Sequence, residues 1–562
     1  MLESIIRTAL GREKADLVLK NARVLNVFTG EILDGDIAIK HRMIAGVGEY
    51  ENALEIHDLD GAFVSPGFIN THCHVESSMV TPDIYCWEEL KWGVTTLITD
   101  PHEVANVAGA DGIKFMLDLV LGIPINYLIQ LPSCVPSTDF ESSGALLDAG
   151  ALEPLMDLPC VLGLGEVMNY PGVLSCDKQV MKKIKLAEKL VIDGHAPGLF
   201  GKELQAYISA GISTDHESSS FDEALEKLRA GMAVLIREGS ACKNLEAIVK
   251  GIVSSGIPTD RFAFCTDDKH IADIKREGTI RCHIEKAVAL GLDAVEAYRM
   301  ATINASRIYN LKHLGAIAPG YRADLAVLDD LADARVKLVY KDGKLAVPGQ
   351  FSPKRKAKPQ NSIIMADLNE KSFEIPPSSG AQPVIELQER QILTKKKFED
   401  SDKAQSLLES GKLCKIAVIE RHRATGNIGV GLISGYGLED GAIASSVCHD
   451  SHNLLVVGTN DSDMLLAANE ARRIMGGYVL AKGGRVTGAM PLPFYGLMSG
   501  MEADEFAENL SRLIEQAHEM GVLKDIDPFI TLSFLALPVI PEIRITDKGV
   551  FDVVKFRFIS SK

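Results

Sequence analysis

The sequence predicts an α/β protein centred on a (β/α)8 TIM-like barrel, with a small β-sandwich domain built from both flanks and a mixed α/β domain at the C-terminus. Three observations carry this. Short β-branched apolar runs alternate with helical stretches from about Ser65 to Leu314, strand-rich text lies on either side, and a Pro/Ser/Lys/Gln-rich stretch precedes a last block of strands and helices. A chain of 562 residues exceeds what one core can grow to, so several domains are expected.

Residues 1–64 open with a short amphipathic helix and continue as ADLVLKNARVLNVFTGEILDGDIAIKHRMIAGVG. Apolar and polar positions alternate there between Gly and Asn/Asp turns, as in short antiparallel strands. The run GYRADLAVLDDLADARVKLVYKDGKLA, within 315–347, has the same texture, so the two pieces complete one β domain. Between them, residues 65–314 alternate strand-like runs (TTLITD, PCVLGLGEV, LVIDGHAPG, GISTDHES, RFAFCTD) with helical ones (KQVMKKIKLAEKL, SFDEALEKLRAG). That rhythm and length suit a barrel, and the chemically rich residues fall at the C-terminal ends of the strand-like runs, where barrel enzymes keep their active sites. Residues 348–383, with GQFSPKRKAKPQ and PPSSGAQP, read as a linker. Residues 384–562 read as the third domain, with KIAVIERH and NLLVVGTN as strands and SDMLLAANEARRIM and EFAENLSRLIEQAHEM as helices.

The balance of 59 Lys plus Arg against 76 Asp plus Glu gives a net charge of −17, which repels phosphate backbones and anionic lipid, so neither nucleic acid nor membrane is an expected partner. Ten cysteines are scattered singly from Cys73 to Cys448 with no C-x-x-C pair, the usage of a reduced, cytoplasmic protein. The N-terminus lacks the apolar core of a signal peptide, and no stretch is long enough to span a bilayer. A homo-oligomer is the base-rate expectation for an acidic multidomain enzyme.

The strongest local pattern is VSPGFINTHCHVESS, in which His72 and His74 lie two apart on a strand and project from one face. An isolated H-x-H is as often structural as functional. Here single candidate ligands recur at later strand ends: Glu166 in GLGEVMNYPG, His195 in DGHAPG, His216 in STDHES and Asp267 in FCTDDKH. Each alone reads as a core histidine or a helix cap. Together, four histidines and two carboxylates at one barrel mouth make a dinuclear metal site.

Through PGF-x-x-x-H-x-H, the two later His strands and the final strand Asp, the sequence resembles the amidohydrolase superfamily over roughly residues 16 to 346. One departure is Asn70, where members often carry Asp. Many members have a carboxylated lysine on strand four, and here Glu166 stands instead. With DPHEVANVAG, ASSVCHDSHN and MPLPFYGLMSG, that substitution makes the chain similar to the bacterial-type adenine deaminase family along nearly its whole length.

The resemblance implies hydrolytic deamination of adenine to hypoxanthine and ammonia by a metal-bridged hydroxide, in purine salvage, with adenine as the small-molecule substrate. It implies two divalent metal ions, manganese or iron foremost and zinc also admissible. Displacing ammonia from an aromatic carbon requires a strong nucleophile, protonation of a ring nitrogen and proton delivery to the leaving amine. Asp267 is the candidate proton acceptor and shuttle, and Glu166 bridges the metals. Strand alternation should let only one of Asp267 and Asp268 face the metals, and the resemblance selects Asp267.

His102 and Glu103, after the Asp100-Pro101 turn, are the candidate substrate-binding residues at the rim. Glu76, Ser77, Arg237, Glu238 and Asp268 lie on neighbouring loops, where some suit purine recognition and each by itself reads as a cap, a loop hydrogen bond or a residue that orients a ligand, and the His449/Asp450/His452 segment reads as a structural loop. The small zinc deaminase fold is excluded because Pro159-Cys160 is followed by Gly163 where a second Cys is required. The nearer alternative is another amidohydrolase acting on a cyclic amide or related nitrogen heterocycle.

Overall fold

The computed structural model describes residues 1–240, 242–347, 354, 357–375, 380–388 and 393–559. After an N-terminal helix (Leu2–Ala9) come strands β1 (Ala15–Asn26), β2 (Glu31–Lys40), β3 (Met43–Gly48), β4 (Ala53–Asp58) and β5 (Phe63–Pro66). The central segment carries β6 (Phe68–Cys73), β7 (Val94–Thr99), β8 (Asn126–Leu131), β9 (Val161–Val167), β10 (Val191–Gly194), β11 (Thr214–Asp215), β12 (Ala233–Arg237) and β13 (Phe262–Cys265). Strands β14 (Leu325–Leu328), β15 (Val336–Lys341) and β16 (Lys344–Leu345) follow.

Both flanks join in one small β layer, ordered β16-β15-β14-β5-β1-β2-β3 with β4 beside β1. The expected sandwich is thus one continuous sheet that bends. Long β1 pairs residues 15–20 with β4 and residues 23–24 with β5. Its register with β2 slips between Leu19 and Ala22, where Asn21 has φ 53°. Such a bulge turns a strand, and the sheet folds over Leu17, Val24, Ile39, Val64, Leu325 and Tyr340.

The central strands are all parallel, in an arc of five (β6 to β10) and an arc of three (β11 to β13). Every residue of β6, β7, β12 and β13 is buried: β12 and β13 are nearly unbroken apolar runs, as parallel strands covered on both faces are, whereas β6 (FINTHC) and β7 (VTTLIT) bury polar side chains as well. Helices cover them, begun by side-chain caps at Asp177, Ser220 and Asp293. The arcs meet at two seams. At one, Ser213 N donates to Ile192 O at 3.0 Å and Gly194 N to Thr214 Oγ1 at 3.4 Å. At the other, Asp267 N donates to His72 O at 3.0 Å, and the Thr71 hydroxyl to Phe264 O at 2.8 Å. Asn70 closes the same seam, giving its Nδ2 to Thr266 Oγ1 at 2.8 Å and accepting from Thr266 N at 3.2 Å.

Beyond the central segment, part of the stretch read as a linker lies outside the described residues. Of the rest, Ile363, Met365 and Phe373 are buried with Ala417, Ile419 and Leu454 of the C-terminal sheet. That sheet has eight strands within residues 381–491, backed by helices Asp461–Arg473 and Ala503–Glu519 and followed by a three-stranded sheet within 543–558. It docks on the mouth of the central segment. Ser499 N donates to Met79 O at 2.8 Å and Thr81 N to Ser499 O at 3.0 Å. Phe140 packs among Phe551, Phe556 and Phe558, and the Ser142 hydroxyl donates to Asp547 Oδ2 at 2.6 Å. Among the described residues no helix is long and apolar enough to cross a membrane.

Candidate active site

The chemistry gathers where the parallel strands end. His72 is the penultimate residue of β6 and His74 follows that strand, so their Nε2 atoms converge to 3.1 Å. His74 Nδ1 donates to the carbonyl of Asp100 at 2.9 Å, which leaves its Nε2 as the lone-pair nitrogen facing the cluster. Glu166, near the end of β9, divides its oxygens. Oε1 lies 3.4 Å from His74 Nε2 and 4.0 Å from His72 Nε2, while Oε2 lies 2.6 Å from His195 Nδ1 and 3.2 Å from His216 Nε2. Asp267 brings Oδ1 to 3.1 Å from His74 Nε2 and 3.4 Å from His72 Nε2. The four histidines and two carboxylates therefore form two groups that share Glu166.

Neighbouring residues fix these positions. Glu166 N donates to Asp100 Oδ2 at 3.0 Å, and a Cβ on Gly165 would meet that oxygen at 2.0 Å, so only glycine lets the carboxylate lie against β9. Arg237, the last residue of β12, donates from Nη1 to Asp267 Oδ2 at 2.8 Å and also grips Glu217. Fully buried Lys227 reaches Asp215 Oδ2 at 2.7 Å and Glu223 Oε1 at 3.0 Å, and Asp215 Oδ1 accepts from Ala196 N at 3.0 Å. This ion group pins the turns that carry His195 and His216. Removing one partner of a buried ion group leaves uncompensated charge, so Lys227→Met should cost about 3–5 kcal/mol of stability. Urea unfolding that matches the parent would contradict this.

Electrostatics favour a cation at the centre. Burial pushes Glu166 up, but the His195 and His216 rings hold it well below the usual carboxylate range. Burial opposes Asp267 likewise, and the Arg237 guanidinium holds it down. Burial, with the neighbouring His216 ring, lowers His72 to about 3, so it stands as a neutral imidazole with a lone pair to offer. His216 is buried with neither ring nitrogen in a hydrogen bond, although Nε2 faces Glu166. An idle buried nitrogen beside two carboxylates is what a divalent ion would engage, so the donor set fits a divalent metal site.

Over this cluster opens a cavity of about 420 Å³. His74, His102, Glu166, His195 and Asp267 line its floor, and Phe534, Leu537, Ile540 and Phe556 of the C-terminal domain form apolar wall opposite. Apolar walls over a polar floor suit an aromatic heterocycle.

Comparison with known proteins agrees in both halves of the chain. The amidohydrolase family matches residues 63–346, and the adenine deaminase C-terminal domain matches residues 391–557. The chain is 45% identical to an adenine deaminase of Desulfitobacterium hafniense, over 99% of this chain and 98% of that one. An adenine deaminase of Clostridium acetobutylicum is 45% identical over 99% of this chain and the whole of its own. The chain belongs to the adenine deaminase family.

Within this family member, the six residues expected to bind metal are all brought to one centre. His102 lies beside them, its Nδ1 3.3 Å from Glu166 Oε1, and Glu103, which also lines the cavity, engages His449 of the C-terminal domain. The alternation argument for Asp267 over Asp268 does not hold. Strand β13 ends at Cys265, Asp267 has φ 56°, and carboxylate oxygens of both aspartates lie close to a His74 nitrogen. What separates the two is their partners: Asp267 meets both His72 and His74, while Asp268 Oδ1 accepts from the Ser77 hydroxyl at 2.5 Å. Sequence reasoning missed Glu217, while of the alternatives it left for Arg237 the structure shows the one that orients a neighbour, Asp267. Glu217 directly follows His216 at a strand end, which was the available signal. The segment read as a structural loop, around His449, instead lines the cavity.

Proposed function

We propose that the chain deaminates adenine hydrolytically to hypoxanthine and ammonia at a centre of two divalent ions, manganese or iron foremost and zinc also fitting. The observation that carries the substrate is similarity along the full chain, 45% identity, to proteins named adenine deaminase. His72, His74, Asp267 and Glu166 Oε1 would hold one ion, and His195, His216 and Glu166 Oε2 the other. Ions bound there would lower the pKa of a coordinated water and polarise the ring being attacked.

The protein's own groups do the rest. Asp267 accepts a proton and returns it to the leaving amine, while Arg237 occupies its Oδ2 and keeps the carboxylate in register. His102 is the rim residue that meets the base, and Glu103 orients its neighbours. We read the two parallel arcs as one (β/α)8 barrel spanning residues 65–314, supported by the hydrogen bonds across both seams. On that reading residues 1–64 and 315–347 form the small β domain, 348–383 the connection and 384–562 the C-terminal domain. All ten cysteines are free, as a reducing cytoplasm would keep them. A homo-oligomer remains the base-rate assembly.

The test is ammonia release by metal-loaded protein. Adenine should be turned over and adenosine poorly. Equal rates on the two, or activity only on a cyclic amide such as dihydroorotate, would sink the reading.

A further inference from the structure

The cavity wall contributed by the C-terminal domain is apolar except at His449 and Asp450, and the orientation of the His449 ring is set by the central segment. His449 Nδ1 lies 2.5 Å from Glu103 Oε1, and the other Glu103 oxygen is taken by His452 Nε2. His452 is itself fixed: its Nδ1 accepts from the backbone N–H of Cys448 at 3.1 Å, so Nε2 carries the proton it donates to Glu103. Glu103 is only 2% exposed, and His102 Nε2 lies 3.3 Å from its Oε1. Both oxygens of the carboxylate are thus committed across the domain interface.

The consequence falls on His449. Its ring stacks on Phe534, with centroids 4.9 Å apart and planes at 19°, and lines the cavity. With Nδ1 committed to Glu103, Nε2 has no protein partner among the described residues. A histidine serving only to tie the loop would gain nothing from a stacked ring, an oriented Nδ1 and an idle second nitrogen beside a cavity.

We propose that His449 is a specificity-determining residue whose Nε2 hydrogen-bonds the substrate base on the edge that carries N3 and N9. The proposal rests on the adenine deamination reading above. The edge follows from the order of contacts. The carbon bearing the amine must face Glu166 and Asp267. His102 stands between Glu166 and Glu103, at 3.3 Å from each, and His449 lies beyond Glu103. His449 therefore meets the end of the base remote from the reacting amine. Burial works against its protonation, yet the Glu103 carboxylate raises it to about 9, so Nε2 donates at neutral pH and matches the N3 lone pair. A sugar on N9 would be directed into the same wall, His449 and Phe534, which gives the preference for the free base a structural origin.

The experiment compares adenine with 3-deazaadenine, which lacks the N3 acceptor, on metal-replete parent and His449→Ala. A hydrogen bond from a charged donor is worth roughly 10- to 100-fold in binding. The variant should lose about that factor on adenine, mainly in KM, and much less on 3-deazaadenine, with parental metal content. Equal losses on both bases would mark a purely structural role and overturn the proposal, as would a variant that keeps the parent's discrimination. A third equivalent of metal that vanishes in the variant would assign Glu103, His449 and His452 to an ion and overturn it too. Should His449→Ala fail to fold, His449→Phe keeps the stack on Phe534 and carries the same comparison. A parent inactive on adenine would instead reject the deamination reading itself.

Discussion

Asp267→Asn should leave the fold intact and lower kcat by about 10²- to 10⁴-fold, the usual cost of losing a general base, with a further loss wherever metal also departs. The carboxylate touches both histidines of the β6 end and is clamped from behind by Arg237, so an amide keeps the shape while losing the charge and the proton-accepting oxygen. Asp268→Asn is the comparison, since that carboxylate is occupied by Ser77 and should chiefly affect substrate binding. Measuring kcat and metal content for both variants decides the matter. A dead Asp268 variant beside an active, metal-replete Asp267 variant would reverse the roles.

The second large effect is expected at Glu166. Its two oxygens serve two pairs of histidines, so Glu166→Gln removes the anion common to both groups. Losing a residue that merely orients a ligand costs 10- to 100-fold in metal affinity or activity, so losing the shared carboxylate should cost at least about 100-fold. Metal content should fall below that of the parent together with the rate. His195→Ala should empty one group and spare the other, leaving fewer equivalents bound. Variants that bind metal and turn over like the parent would remove both residues from the centre.

How much of this was legible in the sequence depended on how local the signal was. His72 and His74 announced themselves because a strand's period of two puts them on one face, and His195, His216 and Glu166 because each closes an apolar run. The partners of these residues carried no such mark. Arg237 and Asp267 meet only through the arrangement of neighbouring strand ends. Glu103 and His449 are separated by 346 residues, so nothing near either one reports the pairing, and a polar CHDSHN loop is by itself the ordinary sign of surface. The bend in β1 was hidden for a related reason. Alternation identifies strands, but one bulge at Asn21 decides whether they form two sheets or one that folds over.

The seam between β6 and β13 bears on the order in which the protein matures. Asn70 and Thr266, bound side chain to side chain, stand 196 residues apart, with His72 just after the first and Asp267 directly after the second. No early fragment emerging from a ribosome can hold all six side chains, because Asp267 is synthesised only after β13, the last of the eight parallel strands. Long-range closure of this kind is slow relative to helix formation. A nascent chain therefore presents only part of the donor set, and the candidate site is complete only once β6 and β13 have met.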